Sequence, residues 1–393
     1  MQKSEIGLII TTLIVICILF GILYLDRTLQ KGKGIREIDN AIRFFKLHDT
    51  LQYDKQSLPL NQAMQDVFAE HPEIASEAKG YWSANFVLWE TLNIIDTLMP
   101  KVTYPDNVKF MYGVAGTDRL ASKSNLAFSL RSTLPDKDYQ DMVPKTFILS
   151  IKDDYEKLQK DMTNRVNIQK NVYILKKNIQ RQEGHFITNN WDDALKAIEE
   201  NKKEPFVVAQ ELLQNPLIVG GRKVNMRIYL LVHVGANGTV RFHIYYNGFM
   251  YYTPQFFKPY GIDKDQIITT GYIDRKVYEE NPLSLMDLRK HLGNEQYDKM
   301  FENIKVLFKK LKTAYDFQLR IDNKDIPGDK FLIYGCDIAP DENLNVKLIE
   351  INKGPDLSYK DARDKAVKFN MVRDAFRTVG LLPWSGITGF IQV

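Results

Sequence analysis

Residues Phe331–Leu357 read FLIYGCDIAPDENLNVKLIEINKGPDL. Two apolar runs, Phe331–Ile338 and Val346–Ile351, flank the turn-forming residues Pro340, Asp341, Glu342 and Asn343, so the stretch predicts a β-hairpin. Side chains alternate along a strand, and pairing Val346 and its neighbours with Ala339 and its neighbours puts Asp337 on the face that carries Glu350 and Asn352. Ile338, Ile349 and Ile351 then point to the core. Two carboxylates and an amide oxygen on one face are hard oxygen ligands of the kind Mg²⁺ takes, with phosphate oxygens completing its octahedron. Spacing alone also allows a plainer reading, in which Asp337 and Glu350 are exposed strand positions.

Outward from the hairpin, Arg222–Val232 reads RKVNMRIYLLV, with Lys223, Asn225 and Arg227 on one face and Val224, Met226 and Ile228 on the other. Lysine and arginine two residues apart along a strand can hold phosphates, one as a point charge and the other as a planar fork; a solvated face is the alternative. Lys176 closes the apolar run Val172–Leu175 and precedes Gln180–Ile187, QRQEGHFI, whose Gly184 allows a close approach of backbone to ligand. Further runs at Val108–Val114, Phe147–Ser150, Phe206–Gln210, Ile228–Val234 and Phe242–Tyr246 predict strands. Helical spacing marks Lys152–Met162, Trp191–Glu200 and Leu285–Tyr315, the last with a stripe of Tyr297, Met300, Phe301, Ile304, Leu307, Phe308, Leu311 and Tyr315 that faces a core. Strands with helices distributed among them predict an α+β (mixed α/β) protein with largely antiparallel sheets.

The chain has 393 residues, room for two or three globular units, and its 44% apolar and 11% aromatic content supports a sizeable interior rather than extensive disorder. With 53 basic against 49 acidic side chains the net charge of +4 gives no signature of a nucleic-acid binder, and none is expected as a partner. Two cysteines, Cys17 and Cys336, make no disulfide framework. Ile6–Leu25, IGLIITTLIVICILFGILYL, is twenty residues without a charge, the length of a membrane-spanning helix and longer than the apolar region of a signal peptide. Arg27, Lys31, Lys33, Arg36, Arg43 and Lys46 follow it, so the positive-inside rule predicts a single-pass membrane protein, amino terminus outside and body in the cytoplasm, with residues 26–80 as a juxtamembrane stalk.

Four elements occur in order: Leu120–Lys123; Val143–Leu149, VPKTFIL; Val207–Val232, VVAQELLQNPLIVGGRKVNMRIYLLV; and Tyr334, Gly335, Asp337, Leu348–Asn352, Pro355 and Leu357. In wording and sequence, from about Tyr104 to Leu381, they resemble the tubulin tyrosine ligase-like family of ATP-grasp enzymes. The resemblance implies an ATP-grasp fold with an amino-terminal α/β domain (81–145), a central subdomain (146–210) and a carboxy-terminal subdomain (211–385) holding the magnesium and phosphate site. It implies that Lys176 contacts ATP phosphates, Gly184 belongs to the phosphate loop, and Gln210, Glu211 and Leu212 border the adenine. By the same resemblance Lys223, Asn225 and Arg227 face phosphate, Asp337, Glu350 and Asn352 hold Mg²⁺, and Arg227 and Glu350 act in catalysis. The implied reaction uses ATP to phosphorylate a carboxylate of a protein acceptor, tubulin being one candidate, after which the amine of a free amino acid displaces phosphate to form an amide or isopeptide bond.

The chain departs from the family pattern at Asn225, where aspartate is usual, and at Gln182, Glu183 and Gly184, where the loop is usually richer in glycine. It departs again at Tyr246, Asn247, Gly248 and Tyr251, where a basic and an acidic residue are usual, and at Ile267–Thr270, where a His-x-Thr-Asn element is usual. These departures leave an alternative, a catalytically inactive ATP-binding protein serving as a membrane-tethered interaction module.

Overall fold

The computed structural model describes residues 62–71, 86–88, 95–101, 104, 108–164, 171–178, 184–383 and 386–393. Two sheets organise them. The larger runs in the order β1 (Phe86–Leu88), β2 (Phe110–Tyr112), β10 (Asp329–Pro340), β8 (Arg222–Val234), β9 (Val240–Tyr252), β12 (Phe390–Gln392), with β11 (Val346–Lys353) paired to β10 and β7 (Ile218–Val219) to β8. β1, β2 and β10 are mutually parallel and the remaining pairings are antiparallel. The smaller sheet is wholly antiparallel, β3 (Thr146–Ile148), β6 (Phe206–Glu211), β4 (Tyr173–Lys177), β5 (His185–Thr188). The α+β class with mixed sheets is the one expected.

The large sheet is hydrophobic because its long strands are buried on both faces: in β8 every residue from Ile228 to Val234 is buried. One face packs against the helix Ala362–Val379, where Phe331, Phe86 and Phe376 meet edge-on or stacked with ring centroids 5.9–6.3 Å apart. Each such fully buried ring contributes about 1.5–3 kcal/mol. Within the span expected as a stalk, the helix Gln62–Glu70 also belongs to this core, with Phe68 stacked on Phe376 at 5.5 Å. In the small sheet, Phe147, Tyr173 and Leu175 are covered by the helices Lys152–Thr163 and Trp191–Glu200, so its other face is left to look towards the large sheet.

Two local expectations change. The helix expected over Leu285–Tyr315 is two helices, Leu285–Leu292 and Asn294–Asp322, because Gly293 takes φ 84°, a left-handed conformation that glycine adopts without strain. The apolar stripe holds, all of it buried except the half-buried Phe301. In the hairpin, Ile349 does not enter the core: the β10–β11 register shifts between Asp337 and Ile338, and the extra residue leaves Ile349 half-buried while Ile338 and Ile351 are buried.

The expectation of a single-pass membrane protein is corrected. Among the described residues no helix is long and apolar enough to cross a membrane. The longest, Asn294–Asp322, has the length but alternates its apolar stripe with Lys299, Lys305, Lys309, Lys312, Asp316 and Arg320, charges that cost too much to place in hydrocarbon. The segment 6–25 and most of the stalk lie outside the described residues.

Candidate functional site

The β10–β11 bulge decides the chemistry of the large sheet. It sets Asp337 directly opposite Glu350, while on the other side β10 sets Asp337 opposite Arg227 of β8. One rung across three strands therefore reads Arg227, Asp337, Glu350. Arg227 donates twice to Asp337, Nε to Oδ1 at 2.7 Å and Nη2 to Oδ2 at 3.2 Å, with both side chains nearly buried at 13% and 14% exposure. The guanidinium also lies over the ring of Tyr251, 5.1 Å from its centre. Gly335 keeps this space open, since a Cβ there would stand 3.0 Å from Arg227 Nη1 and from Pro355. Glu350 accepts from Asn352 Nδ2 at 3.2 Å and lies 3.8 Å from the ammonium of Lys123, the first residue of the helix Lys123–Thr133.

These neighbours push the two carboxyl groups apart. Burial raises the Asp337 pKa, and although Arg227 opposes this, the charge of Glu350 adds to it. Burial would raise Glu350 as well, but Lys123 and Lys176 outweigh it and hold the group below the usual carboxylate range. Adjacent carboxylates withdrawn from water, with an amide beside them, form a donor set that a hard divalent cation fits, because its charge would relieve the repulsion that now falls on Asp337. Among the described residues no group of three or more His, Cys, Asp and Glu is placed to hold a metal. A cation at this rung would thus take two carboxylates and Asn352, and complete its shell with oxygens of another molecule.

The small sheet forms the facing wall. Lys176 is buried and donates to Gln210 Oε1 at 2.6 Å, and Gln210 Nε2 in turn donates to Thr146 Oγ1 at 3.0 Å. Burial brings the Lys176 pKa down to about 8, with Glu350 opposing and Lys123 reinforcing the shift. Lys223 is buried too and is pushed down to about 7, first by burial and then by the charge of Lys176. Between the walls, Val208, Ala127 and Leu348 frame a narrow cavity of about 20 Å³ that Lys176, Gln210 and Ile349 also line. Beyond it Glu350 and Asn352 border a wider polar recess of about 270 Å³, shared with Asp118, Ser122, Lys123 and Asn178. Lys123, Lys176, Lys223 and Arg227 set against Asp337 and Glu350 leave an excess of positive charge, which suits a polyanion.

Of the residues singled out from sequence, Asp337, Glu350, Asn352, Arg227, Lys176 and Gln210 are brought to this cleft. Lys223 stands close enough to Lys176 for their charges to interact. Asn225 lies on the same face of β8 as Arg227, its buried Oδ1 without a hydrogen-bond partner among the described residues. Three others are engaged elsewhere. Gly184, at φ 71°, sits against the Lys177 side chain, which a Cβ would meet at 2.7 Å. Glu211 is half-buried near Lys145 and Asp161, with its pKa raised by burial. Leu212 packs with Val172 and Ile267. Gln182 and Glu183 lie outside the described residues. The departure at Asn247 has a structural use: its Oδ1 accepts from Gly248 N at 2.9 Å and from Met286 N at 3.3 Å, tying β9 to the start of the helix Leu285–Leu292.

The sequence reading gave Lys123 no role, and only folding brings it to Glu350. Its signal was there, in the Leu120–Lys123 element, but nothing local says which carboxylate it will meet.

Fold and site define a two-sheet protein whose cleft sets cationic side chains against paired carboxylates. Residues 118–385 match the tubulin-tyrosine ligase family, and the chain belongs to it. Among its relatives are a probable tubulin polyglutamylase of Mus musculus, 28% identical over 182 residues, covering 44% of this chain and 38% of that protein. A probable alpha-tubulin polyglutamylase of Tetrahymena thermophila is 30% identical over 190 residues, covering 45% of this chain and 44% of that protein. An inactive polyglycylase of Homo sapiens is 26% identical over 164 residues, covering 38% of this chain and 24% of that protein. The chain thus spans less than half the length of these relatives.

Proposed function

We propose that the chain is an ATP-dependent carboxylate–amine ligase that joins a free amino acid to a carboxylate of a protein acceptor. The observation that carries this reading is the Arg227–Asp337–Glu350 rung held across a cleft from Lys176. The adenine is assigned to the side of the cleft bordered by Gln210, where the slot framed by Val208, Ala127 and Leu348, at about 20 Å³ the room of a single water, must widen to admit it, and the phosphates then fall among Lys176, Lys223 and Arg227. Asp337, Glu350 and Asn352 would hold Mg²⁺, which when bound supplies charge neutralisation at the transferred phosphoryl group. Lys176 and Arg227 align and stabilise that group as negative charge builds.

An oxygen of the acceptor carboxylate attacks the terminal phosphorus, the bond to ADP breaks, and an acyl phosphate results. The amine of the free amino acid then attacks the acyl carbon, phosphate leaves with its bonding electron pair, and the amine loses a proton to solvent. No side-chain nucleophile is needed, so the protein's work is alignment, charge neutralisation and exclusion of water from the acyl phosphate. The polyglutamylase names of two relatives make tubulin the first acceptor and glutamate the first amino acid to try.

A second reading, an ATP-binding protein without ligase activity, draws support from Asn247, whose side chain is committed to backbone contacts where the family has a charged residue, and from the inactive relative. Calorimetric titration of the full chain with ATP and Mg²⁺, beside an Asp337→Ala, Glu350→Gln double variant, separates the two when followed by ADP release with pooled amino acids and tubulin. Binding by the parent alone, with ADP appearing only when amino acid and acceptor are present, is the expected result. Binding without turnover supports the second reading, and absence of binding overturns both.

A further inference from the structure

Residues directly opposite one another in an antiparallel sheet project to the same face. β4 and β5 pair Leu175 with Phe186 and Lys176 with His185. Leu175 and Phe186 pack among the covering helices, so Lys176 and His185 turn to the face that lines the cleft. A single rung there runs Ile148, Val208, Lys176, His185 across all four strands, and its Val208 and Lys176 line the cavity shared with Leu348 and Ile349. His185 is thus one strand spacing, about 5 Å, from Lys176.

The His185 Nδ1 is withdrawn from solvent and has no hydrogen-bond partner among the described residues. The charges acting on the ring converge from separate elements: Lys176 on β4, Glu350 on β11, Lys123 at the head of its helix and Lys264 on the short helix Lys264–Ile267. Burial and the three ammonium groups keep the imidazole neutral, pushing its pKa down to about 3 against the single opposing carboxylate. A neutral imidazole still offers one N–H donor. In the tautomer protonated at Nδ1 that donor is left unpaired among three lysines, which matches it to an anionic oxygen, and Glu350 is already engaged by Asn352 and Lys123.

We propose that His185 is a nucleotide-binding residue, its Nδ1–H donating to a phosphate oxygen beside Lys176. This rests on the nucleotide reading above. It gives the chain a phosphate donor from the strand itself, immediately after a segment that offers Glu183 and a single glycine instead of a glycine-rich loop.

The test is calorimetry of the full chain with ADP and, separately, adenosine, which lacks phosphate. His185→Leu is expected to weaken ADP about tenfold or more, as loss of a hydrogen bond to a charged group does, and to leave adenosine unchanged. His185→Asn, whose amide N–H falls near the position of Nδ1, is expected to recover most of the ADP affinity, and His185→Gln, whose amide reaches nearer to Nε2, to recover little. Should the leucine variant not fold, the asparagine and glutamine variants carry the comparison. Equal ADP affinity in the parent and the leucine variant, equal weakening of ADP and adenosine, or equal rescue by Asn and Gln each overturns the assignment while leaving the nucleotide reading intact. If the parent binds no ADP and Lys176→Ala changes nothing, the nucleotide reading itself has failed and the inference falls with it.

Discussion

Asp337→Ala strands the Arg227 guanidinium. That group cannot shed its proton, is only 13% exposed, and would lose the two hydrogen bonds to Asp337, at 2.7 and 3.2 Å, while keeping its place over the Tyr251 ring. Removing one partner of a buried pair costs about 3–5 kcal/mol, and the residual cation–π contact puts the expectation near the lower end, about 3 kcal/mol. Replacing both partners with apolar residues of similar size, Arg227→Met with Asp337→Leu, removes the stranded charge and should cost little beyond the imperfect fit, so the double variant is expected to be more stable than Asp337→Ala. Urea unfolding of the parent, Asp337→Ala, the single variants Arg227→Met and Asp337→Leu, and their double variant reads the stabilities and the coupling between the two sites. Magnesium-dependent ATP binding is expected in the parent and should be lost in each of the variants. A loss below about 1 kcal/mol for Asp337→Ala, or a double variant less stable than that single one, would refute the claim that a desolvated charge pair organises the site.

Nucleotide binding at pH 8.5 should take up protons, because Lys223 and Lys176, brought down to about 7 and about 8 in the free protein, regain their charge beside phosphate. Titrations in two buffers of different ionisation heat measure this uptake, Lys223→Met should reduce it, and a parent that takes up none contradicts the placement of phosphate there. The same depression fixes the sign of the Lys223 effect on stability: the unfolded chain binds the extra proton between pH 7 and the ordinary lysine pKa of 10.5, so this contribution is present above that range and lost as pH falls through about 7. Gly248→Ala would set a Cβ 2.1 Å from the backbone oxygen of Arg227, which cannot swing aside, so β8 and β9 must separate. A loss of about 1–3 kcal/mol or more is expected, together with weaker ATP binding, and an alanine variant matching the parent in both measurements would show that Arg227 is not held through this strand pair.

Much of the fold was legible because periodicity is a local property. The hairpin at Pro340–Asn343, the alternation that puts Lys223, Asn225 and Arg227 on one face, and the helix Trp191–Glu200 follow from residues close together in the chain. Legible too was the shared face of Glu350 and Asn352 on β11, since a strand repeat of two fixes it. The bulge that sets Asp337 against Glu350 and turns Ile349 out of the core was not, because register is a property of two strands and of what covers them.

Sequence by itself determined how side chains alternate along each strand and that Lys176, Lys223, Arg227, Asp337, Glu350 and Asn352 are there to be brought together. Tertiary structure alone decided that Arg227 spends its fork on Asp337, that Lys123 reaches Glu350, that Gln210 holds Lys176, and that His185 stands beside it. Each of these depends on bringing together side chains from strands and helices far apart in the chain, and on how much water they lose when they meet. Coulomb interactions and desolvation scale with distance through space and with burial, neither of which can be read from spacing along the chain.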